Sequence, residues 1–243
     1  MFRALTIILI ILAASPFCEG GEIENSRVVV YLFPGQGADY RQFRDLDFPE
    51  GYDTVHISYP VPLKKESLPQ FALRFVPLID QTCPFILVGV SLGGMICTEL
   101  ADTLHPQKVI LISSAKAKTE LPGRYTFMAK SHINRIVPKR LVKGGARTLQ
   151  GIVEPDRKYD PATFKDMLRQ KDPLYLKRSA DMIICWEREH YQEEIIHIHG
   201  DADHTIPIDN VNYDFLIDEG SHMMVLSRAG EISKIICELL KVN

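Results

Sequence analysis

Phe85, Ile86, Leu87 and Val88 form an unbroken apolar run, and Gly89-Val90-Ser91-Leu92-Gly93-Gly94 follows it without a spacer. A strand that is apolar at every position must be covered on both faces, which is the situation of a strand inside a parallel sheet. The glycines then turn the chain sharply into a helical pattern running from Ser91 to Leu104. A strand that passes directly into a helix is the repeating step of an α/β fold.

The rest of the chain repeats that step. Residues 27–33 and 53–59 read as strands, the first ended by Pro34-Gly35 and the second by Pro60. Apolar positions at helical spacing (Leu68, Phe71, Ala72, Phe75, Leu78, Ile79) predict a helix over 67–80. Further strands are predicted at 85–89, 108–113, 194–199 and 213–217, and an amphipathic helix over 231–240 closes the chain. The expected fold class is α/β, a mostly parallel doubly wound sheet. Residues 116–190 break the alternation, with helical periodicity and no strong strand. Between two strands of such a sheet this segment falls at the carboxyl ends, where ligands bind, and it is expected to form a helical cap.

The 243 residues, 46% of them hydrophobic, are enough for one full core, and no linker divides them. Residues 1–20 are set apart: Arg3 precedes an apolar run from Ala4 to Ala14, and small residues follow. That arrangement is expected of a secretory signal peptide, with residues 21–243 as the mature domain and a periplasmic or extracellular location. The run is shorter than the ~20 residues a membrane span needs. Cys18 offers a lipid-attachment point, but Phe17 before it does not fit a lipoprotein signal. Cys83, Cys97, Cys185 and Cys237 are scattered, and their spacing leaves disulfide status open. A net charge of −3 does not suggest a nucleic-acid partner.

A serine at a helix N-terminus faces main-chain N–H groups and the positive end of the helix dipole, which favour developing negative charge. The pattern G-x-S-x-G alone arises by chance in about one chain in ten of this length. Its setting, after an apolar strand and opening a helix, gives it specificity. On these residues the chain resembles the α/β-hydrolase superfamily of single-domain serine esterases. The resemblance covers residues 27–115 and 194–242, while the two antiparallel strands that lead the family's sheet are missing.

The resemblance implies a set of roles. Ser91 takes the nucleophile's place. Phe33-Pro34-Gly35-Gln36-Gly37 is similar to the family's oxyanion loop, with Pro34 where His is usual, so the main-chain N–H groups of Gln36 and Leu92 would form the oxyanion hole. His199-Gly200-Asp201-Ala202-Asp203 resembles the acid loop and assigns the carboxylate to Asp203, with Asp201 tying the turn. His222, after a glycine loop and ahead of the last helix, matches the base. The reaction implied is hydrolysis of a carboxylic ester through an acyl-enzyme, with no cofactor and no metal. Acyl transfer to another acceptor uses the same residues, and a non-catalytic binding protein could keep the fold.

Two other patterns need an account. His197-x-His199-x-Asp201 followed by Asp203-His204 is similar to the metal-binding run of metallo-β-lactamase-like hydrolases, with one residue too many before the last His. Residues 116–147 carry nine Lys/Arg against one acid, Glu120. This is read as a solvated helical face, or as a surface for an anionic small-molecule substrate or a membrane headgroup layer.

Overall fold

The computed structural model describes residues 27–131, 159–191 and 194–241. Six strands form one parallel sheet: β1 (Val28–Phe33), β2 (Tyr52–His56), β3 (Phe85–Val90), β4 (Lys108–Ile112), β5 (Ile195–Gly200) and β6 (Phe215–Ile217). Their order is β2-β1-β3-β4-β5-β6, with every neighbouring pair parallel. Among the described residues, which begin at Arg27, the sheet holds no antiparallel strand. The order reverses between β1 and β3, so the loops after these two strands border the crevice at the switch point.

Alternation along each strand feeds two cores. Tyr31, Phe33, Leu87 and Leu111 face one side, and α1 (Leu68–Leu73) and α2 (Leu92–Leu104) cover them. Val30, Leu32, Val88, Ile110 and Ile198 face the other. There they meet α6 (Met224–Ser227) and α7 (Ala229–Lys241), which contributes Ile232, Ile236 and Leu240 at i, i+4 and i+8. Both faces being buried accounts for the unbroken apolar runs.

Two elements are shorter than predicted. The helix expected over 67–80 ends at Leu73, and a 3-10 turn at Val76–Leu78 replaces its second half. Pro77 has no N–H to continue the ladder, and its ring would strike the carbonyl of Leu73. The strand expected over 53–59 stops at His56. One further bond, Ile57 N–H to Leu32 O, completes its pairing, because β1 ends at Phe33.

The region between β4 and β5 is helical where described: α3 (Gly123–Ser131), α4 (Pro161–Gln170) and α5 (Pro173–Ile184). Asp160 and Asp172 cap the latter two, each with Pro in the first turn. Ile183 and Trp186 join the core, and the indole N–H of Trp186 donates to Glu99 at 2.7 Å. Leu176 instead packs with Leu168 and Tyr175 against Tyr59. Residues 132–158 of the expected cap, like the expected signal segment, lie outside the described residues.

Candidate active site

Ser91 stands between β3 and α2 with φ 51° and ψ −119°, a conformation that a non-glycine residue adopts only under strain. The surrounding structure holds it there. Its N–H donates to Ile112 O at 3.1 Å, and its carbonyl accepts from the Ser114 hydroxyl at 2.7 Å. The turn is too tight for side chains at its flanks. A Cβ on Gly89 would overlap the Gly93 main chain, and one on Gly93 would overlap the Phe33 carbonyl. The glycines are therefore steric requirements of the turn.

The side chain of His222 approaches from the loop after β6. Its Nε2 lies 2.8 Å from Ser91 Oγ, and its Nδ1 lies 2.8 Å from Asp203 Oδ2. The carboxylate can only accept, so Nδ1 carries the proton and Nε2 presents a lone pair to the serine. The other oxygen of Asp203, Oδ1, accepts the N–H groups of Thr205 and Ile206, both at 2.8 Å. Asp203 is 2% exposed and His222 7%. Burial works against the carboxylate's charge, but His222, His199 and the Ile206 N–H outweigh it and hold its pKa below the usual value. The acid and base loops touch through glycine: a Cβ on Gly200 would overlap the Gly220 carbonyl, which instead accepts the Ala202 N–H at 3.0 Å.

Asp201 does not tie this turn. Its side chain is exposed and makes no hydrogen bond among the described residues. The turn is held by the Asp203 carboxylate itself, so one side chain both closes the loop and meets His222.

The loop after β1 packs on Ser91. A Cβ placed on Gly35 would sit 3.5 Å from the Ser91 Cβ. Pro34 O accepts the Tyr59 hydroxyl, and Gly35 N–H donates to Gln42 Oε1, both at 2.8 Å. The main-chain N–H groups of Gln36 and Leu92 make no hydrogen bond among the described residues. Gln42, fully buried, had no signal in the sequence; nothing in its local pattern separates it from any polar residue of a short turn.

The sequence model described as the alpha/beta hydrolase family matches residues 14–235, nearly the whole chain. The chain belongs to the alpha/beta hydrolase family. Solved structures repeat the fold of this hydrolase at low identity. The enol-lactonase from Burkholderia xenovorans superposes with a TM-score of 0.68 at 15% identity, covering 92% of this chain and 94% of that one. A hydrolase from Pseudomonas aeruginosa gives 0.66 at 13%, covering 88% and 90%. An esterase from Exiguobacterium antarcticum gives 0.62 at 16%, covering 90% and 93%. No curated protein matches the sequence.

In this hydrolase the His197-x-His199 pair is occupied by hydrogen bonds. Both rings are fully buried. His197 Nδ1 lies 3.2 Å from Asn212 O, and its Nε2 accepts Ser114 N–H at 3.2 Å, which fixes it as the Nδ1–H tautomer. His199 Nδ1 lies 3.1 Å from His197 Nε2, and its Nε2 lies 2.9 Å from Ile206 O and 3.5 Å from Asp203 Oδ2. The pair therefore braces the acid loop from behind. Among the described residues no three His, Cys, Asp or Glu side chains are grouped to hold a metal ion.

Burial, with His199 and Lys116 nearby, pushes the His197 pKa well below the usual histidine value. The folded pKa is thus below the unfolded one. Under about pH 6.5 only the unfolded chain takes this proton, and stability falls as pH drops, by about 1.4 kcal/mol per pH unit for one proton. In NMR titration the His197 ring is expected to show no protonation between pH 8 and 6. A midpoint near 6.5 in the folded protein would contradict this.

The described part of the basic segment is largely paired. Lys116 is buried, lies 3.5 Å from Asp214 and stacks over Tyr191. Lys118 meets Glu189 at 2.6 Å, and Arg124 donates to the Thr205 carbonyl of the acid loop. Glu120, the segment's one acid, is buried and accepts the Lys116 and Asn212 N–H groups; burial raises its pKa. Arg135, Lys139, Arg140, Lys143 and Arg147 lie outside the described residues. The four later cysteines are free thiols; Cys97 is buried in α2 and Cys185 is exposed, so only the first behaves as a core residue.

Proposed function

We propose that this hydrolase cleaves carboxylic esters by way of an acyl-enzyme on Ser91. The observation that carries the reading is the unbroken line Ser91 Oγ, His222, Asp203, with two contacts of 2.8 Å in the proton order that general-base chemistry needs. A serine hydroxyl attacks poorly at neutral pH unless a base accepts its proton. His222 Nε2 takes that proton as Oγ bonds to the ester carbonyl carbon. The carbonyl oxygen becomes an oxyanion, and the N–H groups of Gln36 and Leu92 receive it, one such donor contributing about 3 kcal/mol. The C–O bond to the alcohol then breaks, and the His222 imidazolium returns the proton to the leaving oxygen. Water, deprotonated by Nε2, attacks the acyl-Ser91 carbonyl, and the acid leaves as Ser91 recovers its proton. Asp203 holds the Nδ1–H tautomer and stabilises the imidazolium.

Esters and lactones break the same bond, and the fold neighbours include proteins described as an esterase and an enol-lactonase. The substrate is a small acyl compound met outside the cytoplasm, in keeping with the leader-like residues 1–20. Lys116, buried against Asp214, and Lys118, paired with Glu189, have their charges met within the protein, so neither is offered to an anionic substrate. A panel of linear esters and lactones, graded by acyl length and charge, tests the reading. Hydrolysis of neutral short-chain members ahead of anionic ones is expected. No turnover of any ester or lactone would overturn it.

A further inference from the structure

The cap meets the segment after β1 at two places: Arg41 and Arg44 bond to Gln170, Thr163 and Asp160 around α4, and Gln36, in the loop beside Ser91, bonds to α5. Gln36 Nε2 lies 3.0 Å from Leu176 O and 2.8 Å from Ser179 Oγ, both on α5 and some 140 residues away in sequence. The carbonyl can only accept, so this contact identifies the amide nitrogen and fixes the orientation of the amide. Both amide hydrogens are used. Ser179 directs its own hydrogen to Tyr175 O at 2.8 Å, which leaves a lone pair for Gln36. Ser179 is completely buried, and a hydroxyl folded back on the preceding turn does nothing for its own helix. Its contact outside α5 is Gln36.

The other loop residues are tied to the core: Pro34 O to Tyr59 and Gly35 N–H to Gln42. Gln36 is tied to the cap. The cap also packs directly on the loop, since a Cβ on Gly37 would meet Leu168 of α4 at 3.4 Å and Leu176 at 3.9 Å. The carbonyl of Gly35, in the same peptide as the Gln36 N–H, accepts the Ala38 N–H at 3.1 Å. With the Gln36 side chain held by α5 on the other side, the Gln36 N–H direction is set before substrate arrives.

We propose that the Gln36 side chain is a positioning group, through which α5 of the cap aims the Gln36 main-chain N–H at the oxyanion. The inference rests on the Ser91 acyl-enzyme reading. A hydrogen bond weakens steeply as its angle closes, and a donor helps the transition state most when it needs no reorganisation. The cap thereby acts on turnover as well as on binding. An acyl group bulky enough to shift α5 loses rate through the oxyanion donor, not only affinity.

The test compares Gln36→Met, which keeps length and removes the amide, with Ser179→Ala and the double variant. The readouts are kcat and KM on one ester, inhibition by a boronic acid that mimics the tetrahedral intermediate, and thermal unfolding. Gln36→Met should lower kcat about 10- to 100-fold, part of the 10²–10³ that a whole oxyanion donor supplies, with KM within about twofold. Boronic acid inhibition should weaken by a similar factor. Ser179→Ala should lose less in the same direction, and the double variant should be no worse than Gln36→Met, because the two act as one contact. Unchanged kcat, a loss carried by KM alone, or additive losses would overturn the proposal. Should Gln36→Met fail to fold, Ser179→Ala carries the same kcat and inhibitor comparison. Ser91→Ala separates the two levels: turnover persisting there removes the underlying reading, whereas an inactive Ser91→Ala beside a wild-type Gln36→Met removes only this inference.

Discussion

Ser91→Ala is expected to lower ester turnover by about 10⁵- to 10⁶-fold while the protein stays folded. The size of the loss follows from the geometry. His222 Nε2 has Ser91 Oγ as its partner at 2.8 Å, and without that oxygen the base has no nucleophile to activate. The fold should tolerate the change. Ser91 is partly exposed, its hydroxyl caps no helix, and the turn is held by its main chain and the flanking glycines. Alanine carries the same Cβ into the same strained conformation, so the cost is that of one hydrogen bond, about 1 kcal/mol. Turnover within tenfold of wild type, with an unchanged unfolding curve, would contradict the assignment.

The second large effect separates two acids one residue apart. Asp203→Asn should reduce kcat by about 10⁴. Thr205 and Ile206 N–H groups both point at Oδ1, so the amide oxygen of Asn must stay there to accept them. The NH₂ group then faces His222 Nδ1. A donor at that position forces the proton onto Nε2, and the imidazole can no longer accept from Ser91. Asp201→Asn should leave kcat within about threefold and stability within about 0.5 kcal/mol, because an exposed side chain without a hydrogen bond is lost at little cost. The measurement is kcat and thermal unfolding of both variants. A large loss in Asp201→Asn with a mild one in Asp203→Asn would reverse the roles.

That pair also shows where the sequence is legible. The turn around Ser91 is written locally: Gly89 and Gly93 are demanded by contacts within a few residues and with β1, so strand, turn and helix can be read together. The approach of Ser91, His222 and Asp203 follows from the order of the strands in the sheet; the apolar runs mark the strands but not that order. Asp201 was harder, because a turn-tying carboxylate and a base-orienting one look alike in sequence, and here Asp203 does both. Pro77 was visible yet the apolar spacing around it favoured a longer helix; the missing N–H won. His197 and His199 share a strand face by the two-residue period, but only the loops packed on that face reveal their partners Asn212, Ser114 and Ile206. The bond from Gln36 to Ser179 spans 143 residues and joins an irregular loop to a cap helix, and no periodicity could have announced it.

The most direct test is a rapid-quench experiment on the protein with an activated ester, read by intact-mass and peptide mass spectrometry. The account predicts a transient covalent adduct of the acyl mass, confined to the peptide that carries Ser91 and absent in Ser91→Ala. Burst kinetics of alcohol release should accompany it when deacylation is the slower step. Hydrolysis that proceeds with an adduct on a different residue, or equally well in Ser91→Ala, would contradict it.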